Sequence, residues 1–296
     1  MTDRERPPKR QGAKPVRPEP KGAKAKALSA LVRAFAAEQQ IPEARARLWV
    51  SYLMLGGVLL RANRDREVPT YVIKGGVAVE LRLRERARAT KDIDLSVGVA
   101  APDLVVHFEE TLSEPYEGFR FRRRGEPHVM PNGAVRLDVT VQYHDAPWNT
   151  IQVDLAPHEG ASTQVDLVDT TSIAQLELNG PLQLPCLGLP YHIAQKIHGM
   201  TQPRGEDRRP NDRFRDLIDL LLLAPLVTDY SALRAACDDV FDARATHPWP
   251  GAHLALPTTW REPYAALATA VGGVPVDFDA AVREAASFLA RIDATR

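Results

Sequence analysis

Asp92 and Asp94 stand one residue apart in "DIDLSV". In a strand, residues i and i+2 share a face, so two carboxylates lie side by side while Ile93 and Leu95 turn inward. Two like charges at about 4 Å repel by roughly 4 kcal/mol at an effective dielectric near 20. Either the carboxylates splay into water, or a divalent cation gathers them as hard oxygen ligands. A third carboxylate favours the cation. In "TIQVDLAP", Ile151, Val153 and Leu155 alternate against Gln152 and Asp154. Asp154 therefore leaves the core face of its strand and can meet the pair across a sheet. Asp138, in "AVRLDVTVQY", has the same alternation and is the rival candidate. Three convergent aspartates suit two-metal phosphoryl or nucleotidyl transfer. Two bind Mg²⁺ (or Mn²⁺); the third helps hold the second ion and can accept the proton of an attacking hydroxyl.

The second chemical element is Gly75-Gly76, which follows the β-branched run Val68 to Ile73 and precedes a helical pattern. Without side chains the backbone can approach a phosphate closely, and the following helix offers free N–H groups and its positive end. A tight strand-to-helix turn with nothing bound uses the same residues. The pair is neither a GxGxxG nor a Walker motif, so a dinucleotide fold or P-loop kinase is not indicated.

The elements that must position these groups follow from periodicity. "LSALVRAFAAEQ" and "EARARLWVSYLMLGGVLLRANRD" carry apolar faces at the helical period. Val77 to Ala87 continues helical, and "DIDLSVGV", "AVRLDVTVQY" and "TIQVDLAP" read as strands. Beyond Pro185 the patterns are helical throughout: Tyr191 to Met200, Arg213 to Leu223, Ser231 to Val240, Pro263 to Val271 and Phe278 to Arg291. Strands in the middle and helices at both ends make an α+β fold, a small sheet carrying a helical C-terminal portion. Residues 1–25, rich in Pro, Lys and Arg, cannot bury enough surface to offset their ordering entropy and are expected to be disordered. Residues 26–185 then form the sheet domain and residues 186–296 the helical one.

The 296 residues carry a formal net charge of zero, so no global field advertises nucleic acid and any basic surface must be local. "RFRRR" (Arg120 to Arg124) is the most concentrated basic run, either a charged loop or a grip on nucleic-acid phosphates. Cys186 and Cys237 show no paired spacing, which suits a reduced compartment. His192 and His198 are six apart, off a shared helical face, so a zinc site is not expected. No apolar run approaches the ~18 residues of a membrane span, and the charged N-terminus lacks a signal-peptide core. A cytoplasmic protein with no membrane partner is expected.

Taken together, "IKGGVAVELRLRERARATKDIDLSV" and "IQVDLAP" resemble the nucleotidyltransferase superfamily, and within it the AbiEii-type toxins of type IV toxin–antitoxin and abortive-infection systems. The resembling motifs are Lys74-Gly75-Gly76, Arg88-Ala89-Thr90-Lys91-Asp92-Ile93-Asp94, Ala194-Gln195-Lys196 and Arg215-Asp216-Leu217-Ile218-Asp219-Leu220. The Trp260–Tyr264 element is similar as well, and the resemblance spans roughly Ala27 to Leu267. Gly-Gly stands where many superfamily members have Gly-Ser, which removes one hydroxyl from the phosphate site.

That resemblance implies a nucleotidyltransferase-like sheet and a Mg²⁺-dependent enzyme transferring NMP from an NTP, with the 3′ end of tRNA as acceptor. It also implies a cognate antitoxin. Asp92, Asp94 and Asp154 would hold metal, with Asp154 the candidate general base. Lys74, Gly75, Gly76 and Lys196 would hold the triphosphate. At least one of Asp216 and Asp219 would approach the site, Asp216 preferred as a catalytic residue and Asp219 as a nucleotide contact; the alternative is a solvated helix edge or pairing with Arg213 and Arg215. Thr90 would contact phosphate or merely end the preceding helix. The rival readings are a same-fold phosphotransferase or protein-nucleotidylating enzyme, a metal-dependent nuclease, and a non-catalytic RNA- or partner-binding module.

Overall fold

The computed structural model describes residues 22–64, 66–130, 133–159, 164–203, 213–251 and 253–295. Most of the expected N-terminal tail lies outside them, but Ala23 to Ala25 already belong to the first helix. Helices α1 (Ala23–Glu38) and α2 (Glu43–Ala62) lead into strand β1 (Tyr71–Lys74), helix α3 (Gly75–Leu83) and strand β2 (Asp92–Val97). Helix α4 (Leu104–Thr111) precedes β3 (Phe119–Val129), β4 (Val135–Tyr143), β5 (Ala146–Pro157), β6 (Val165–Asp169) and β7 (Gln183–Leu187). Five helices follow: α5 (Leu189–Thr201), α6 (Phe214–Leu223), α7 (Tyr230–Arg244), α8 (Arg261–Val271) and α9 (Phe278–Asp293). Among the described residues the strands form one mixed sheet in the order β3-β4-β5-β2-β1-β7-β6.

Period-two alternation decides which face each strand buries. Ile93, Leu95, Leu137, Val139, Ile151 and Val153 are buried and join α1, α2 and α4 in one apolar core. The helices from α5 onward form a second core with Val72, Val79 and Leu83, so β1 and α3 sit where the two meet. The opposite sheet face carries Asp92, Asp94, Asp154 and Arg136 toward this junction.

Several elements depart from expectation. The "RFRRR" run is a strand, because Phe119 and Phe121 alternate with the arginines and are buried. Strand β7 contradicts the reading of a helical chain beyond Pro185; Leu184 and Cys186 are buried within the sheet although Pro185 lies between them. Strand β1 starts at Tyr71, not Val68: Pro69 has no N–H to give a ladder, and only the Thr70 carbonyl, accepting from Gly98 N–H at 2.7 Å, extends the pairing. Helix α3 ends at Leu83, short of Ala87, because Arg84 turns to a positive φ of 54° and a 3₁₀ turn follows.

Candidate active site

The chain reverses sharply at the end of β1, and this turn organises the site. Lys74 is the register partner of Asp94 on β2, and Asp94 is in turn the partner of Asp154 on β5. Three side chains from three adjacent strands therefore share one row of one face. Gly75 has φ +62°, a conformation that L side chains rarely adopt. A Cβ built on it would lie 1.8 Å from Asp94 Oδ2, so the backbone lies against the carboxylate as only glycine allows. Gly76 is also tightly packed: a Cβ built on it would lie 2.5 Å from the Thr90 hydroxyl oxygen.

These groups line a cleft of about 880 Å³ between the sheet and α5–α7, a size suited to a small-molecule substrate. Lys74, Gly75, Gly76, Asp92, Asp94, Asp154, Lys196 and Asp216 all line it. Asp138 is on the same sheet face but exposed and outside the cleft, so geometry favours Asp154 over its rival. Thr90 is buried behind the wall and donates to Asp92 Oδ1 at 3.0 Å, bracing the carboxylate instead of capping a helix.

The acidic side of the cleft is strained electrostatically. Burial pushes the Asp94 carboxyl up to about 6 from its usual 3.8, and Asp92 adds repulsion that Lys74 only partly offsets. Among the described residues nothing donates a hydrogen bond to Asp94. Asp154 is different: Arg136 on β4 grips both of its oxygens at 2.8 and 2.7 Å, and the same guanidinium lies 3.8 Å from Asp92. Among the described residues, no three His, Cys, Asp or Glu side chains are arranged to hold a metal ion. Asp154, expected as the third metal ligand, is instead held by the Arg136 guanidinium. Asp92 and Asp94 nevertheless fit a divalent cation: hard oxygens on one face, with an unpartnered carboxylate whose charge is otherwise uncompensated.

The basic side is assembled from α5, α6 and the loop after α3. Lys196 Nζ donates to Asp216 at 3.1 Å and Asp219 at 2.7 Å. Arg88 forks onto Asp219 with two 2.9 Å bonds, and Arg213 reaches Asp216 at 3.0 Å. Burial alone would depress the lysine and raise the aspartate, yet their mutual attraction wins: Lys196 is shifted up and Asp216 down, so both stay charged. Among the described residues, three cations and two carboxylates are joined in this one network beside the cleft. Asp216 lines the cleft whereas Asp219 is fully buried behind it, which assigns the two aspartates different places.

Three contributors had no role in the sequence reading. Arg136 was discoverable only by pairing β4 with β5, since its alternation merely places it on the polar face. Arg88 was legible as part of a basic helix-like run, without its buried partner. His192, on the first turns of α5, is 2% exposed. Its Nδ1 lies 3.4 Å from Arg82, a group that can only donate, so Nδ1 accepts and Nε2 carries the proton. Burial, then Lys196 and Arg82, hold the imidazole well below its usual pKa, keeping it neutral.

Residues 58–284 match the family described as nucleotidyl transferase AbiEii toxin, type IV TA system. The chain belongs to this AbiEii toxin family. It is a nucleotidyltransferase, and AbiEii membership implies a nucleotide substrate and an antitoxin partner. MenT4, the nucleotidyltransferase toxin Rv2826c from Mycobacterium tuberculosis H37Rv, has the same fold at a TM-score of 0.59 and 21% identity, with 88% of this chain and 89% of that chain covered. The antibiotic-resistance factor ANT(2'')-Ia aligns at a TM-score of 0.38 and 16% identity, covering 66% of this chain and 94% of that one. No curated protein matches the sequence. The AbiEii-type chain has, among its described residues, no helix long and apolar enough to cross a membrane.

Proposed function

We propose that this AbiEii-type enzyme is a divalent-cation-dependent toxin that transfers a nucleoside monophosphate from an NTP to the 3′-hydroxyl of a tRNA, blocking translation. The observation that carries the reading is Asp94: an unpartnered carboxylate pressed beneath a positive-φ glycine, in register with Lys74 on one side and Asp154 on the other. Asp92 and Asp94 would hold Mg²⁺ or Mn²⁺, which when bound neutralises phosphate charge and acidifies a ligated hydroxyl.

The protein's own groups divide the remaining work. Gly75 and Gly76 bring backbone against the phosphates at the N-terminus of α3, where free N–H groups attract anions. Lys74 supplies an adjacent cation, and the Lys196 network sets fixed, paired cations along the wall of the cleft that the departing pyrophosphate would pass. The acceptor 3′ oxygen forms its bond to the α-phosphorus as the bond to the α,β-bridging oxygen breaks. Asp154 is the carboxylate placed to take the hydroxyl proton, which requires Arg136 to yield one of its two bonds.

The test is incubation of purified protein with each α-labelled NTP and total tRNA, followed by sequencing of extended ends. Label should enter tRNA only with a divalent cation and be lost in Asp94→Asn. Label on protein in place of RNA, or full incorporation by the variant, overturns the proposal. Shortened tRNA would point to a nuclease instead.

A further inference from the structure

We propose that the bare sheet face beside the cleft, with Arg122 and Arg124 on its edge strand β3, docks the sugar-phosphate backbone of the acceptor RNA. The proposal rests on the RNA-acceptor reading above and says where the body of that acceptor lies.

Register places the arginines. Asp92 pairs with Gln152, Gln152 with Asp138, and Asp138 with Arg124. In the next row Thr150 pairs with Thr140, and Thr140 with Arg122. Paired residues in a sheet project to the same side, so these rows run on the same face as the metal-pair aspartates. Phe119 and Phe121 confirm the parity, buried on the opposite side. Three strand spacings of ~4.8 Å put the arginines about 14 Å from Asp92. An acceptor whose 3′ end reaches the aspartates can therefore lay its preceding nucleotides across this face.

The chemistry of the face suits a polyanion. Arg122, Arg124, Asp138, Thr150 and Gln152 are exposed, and hydroxyls and an amide fill the space between the charges. Among the described residues, neither Arg122 nor Arg124 has an ion-pair partner. Arg123, on the other face, is by contrast engaged by Glu109. The acids nearby are Asp138, opposite Arg124, Asp145, 4.0 Å from Arg120, and Glu126, two residues beyond Arg124 on β3; Arg122, whose row neighbours are Thr140 and Thr150, is opposed by none of them. A solvated face is ordinary for antiparallel strands, and charges on an edge strand also discourage unwanted β-pairing. What neither explains is unpaired arginines in the rows that lead to the catalytic carboxylates.

The experiment compares Arg122→Glu/Arg124→Glu and Arg122→Lys/Arg124→Lys with the parent, using unfractionated tRNA. The glutamate pair keeps charges on the edge strand, so a role in preventing β-pairing predicts no change. The docking role predicts at least a tenfold rise in KM for tRNA with KM for NTP unchanged. It also predicts that the slope of log affinity against log salt falls by about 1.4–1.8, two phosphate contacts' worth, and that the lysine pair restores that slope. Unchanged tRNA KM and slope overturn the proposal. So does a glutamate pair that loses binding to polyglutamate but not to tRNA, which would assign the face to an acidic protein. If the parent enzyme labels no RNA, it is the acceptor reading itself that fails, and the parent control separates the two.

Discussion

Gly75→Ala is the sharpest perturbation, because two separate costs can be read from one position. The first is backbone: at φ +62°, alanine in the left-handed region costs ~1–2 kcal/mol. For a protein of this size that lowers the melting temperature by roughly 2–8 °C. The second is local: the new methyl would stand 1.8 Å from Asp94 Oδ2, so the carboxylate must swing away by more than an ångström. Misplacing a reacting group by about 1 Å costs on the order of 100-fold in rate. Gly272 supplies the control, with φ +73° and nothing within 4 Å of its missing Cβ. Gly272 also has ψ 174°, where almost only glycine fits, so Gly272→Ala should lose at least as much stability while keeping full activity. Thermal melts and labelled-NTP incorporation read both effects. If Gly75→Ala retains activity within a few-fold of the parent while melting like Gly272→Ala, the close approach of glycine to Asp94 has no catalytic meaning.

In metal-free buffer the native Asp94 carboxyl, at about 6 against an ordinary 3.8, binds its proton before the unfolded chain does. Stability therefore falls as pH rises from about 4 to 6, by at most ~3 kcal/mol. Asp94→Asn should accordingly melt higher than the parent at pH 7.5 in EDTA, lose that advantage below pH 4, and be inactive; melting curves across pH check this. Asp219→Ala leaves Arg88 and Lys196 without their shared buried carboxylate and should cost about 3–5 kcal/mol, seen as a fall in melting temperature of roughly 10 °C. Asp216→Asn, altering a cleft-lining group, should reduce turnover with a smaller change in melting. Lys74→Met should raise KM for NTP with little loss of stability, whereas Lys196→Met should destabilise the fold; steady-state kinetics and melts distinguish them.

What could be read in the sequence was whatever a local period decides. Asp92, Asp94 and Asp154 were legible because strand alternation fixes a face without reference to any partner, and Gly75-Gly76 because turn chemistry is local. Arg136 was not, since its grip on Asp154 exists only in the register of β4 against β5. The same holds for Lys196 and Arg88, whose carboxylate partners come from α6, 20 to 131 residues away. Strand β7 was hidden because Pro185 argues against a sheet interior, although its neighbours Leu184 and Cys186 pack there. Strand β3 was hidden by composition: five residues with four arginines read as a charge run, and the Phe119/Phe121 alternation beneath them went unweighted.

The two lysines of the cleft show why partner geometry matters more than proximity to phosphate. Lys196 lines the cleft but is spoken for by two buried carboxylates, one of them fully buried. Drawing it out to meet a substrate would leave those charges uncompensated at a cost of several kcal/mol. Its favourable place is fixed, holding α5 against α6 on the basic side of the cleft. Lys74 has no ion-pair partner among the described residues, is half-buried, and sits one residue before the phosphate-facing turn. In register with Asp94, it can turn toward phosphate without breaking a buried pair. An acidic sheet, a rigid basic wall and one adaptable lysine between them make a cleft polarised along its length. That polarity is what the proposed reaction would use, with cation and reacting phosphorus at one end and leaving charge at the other.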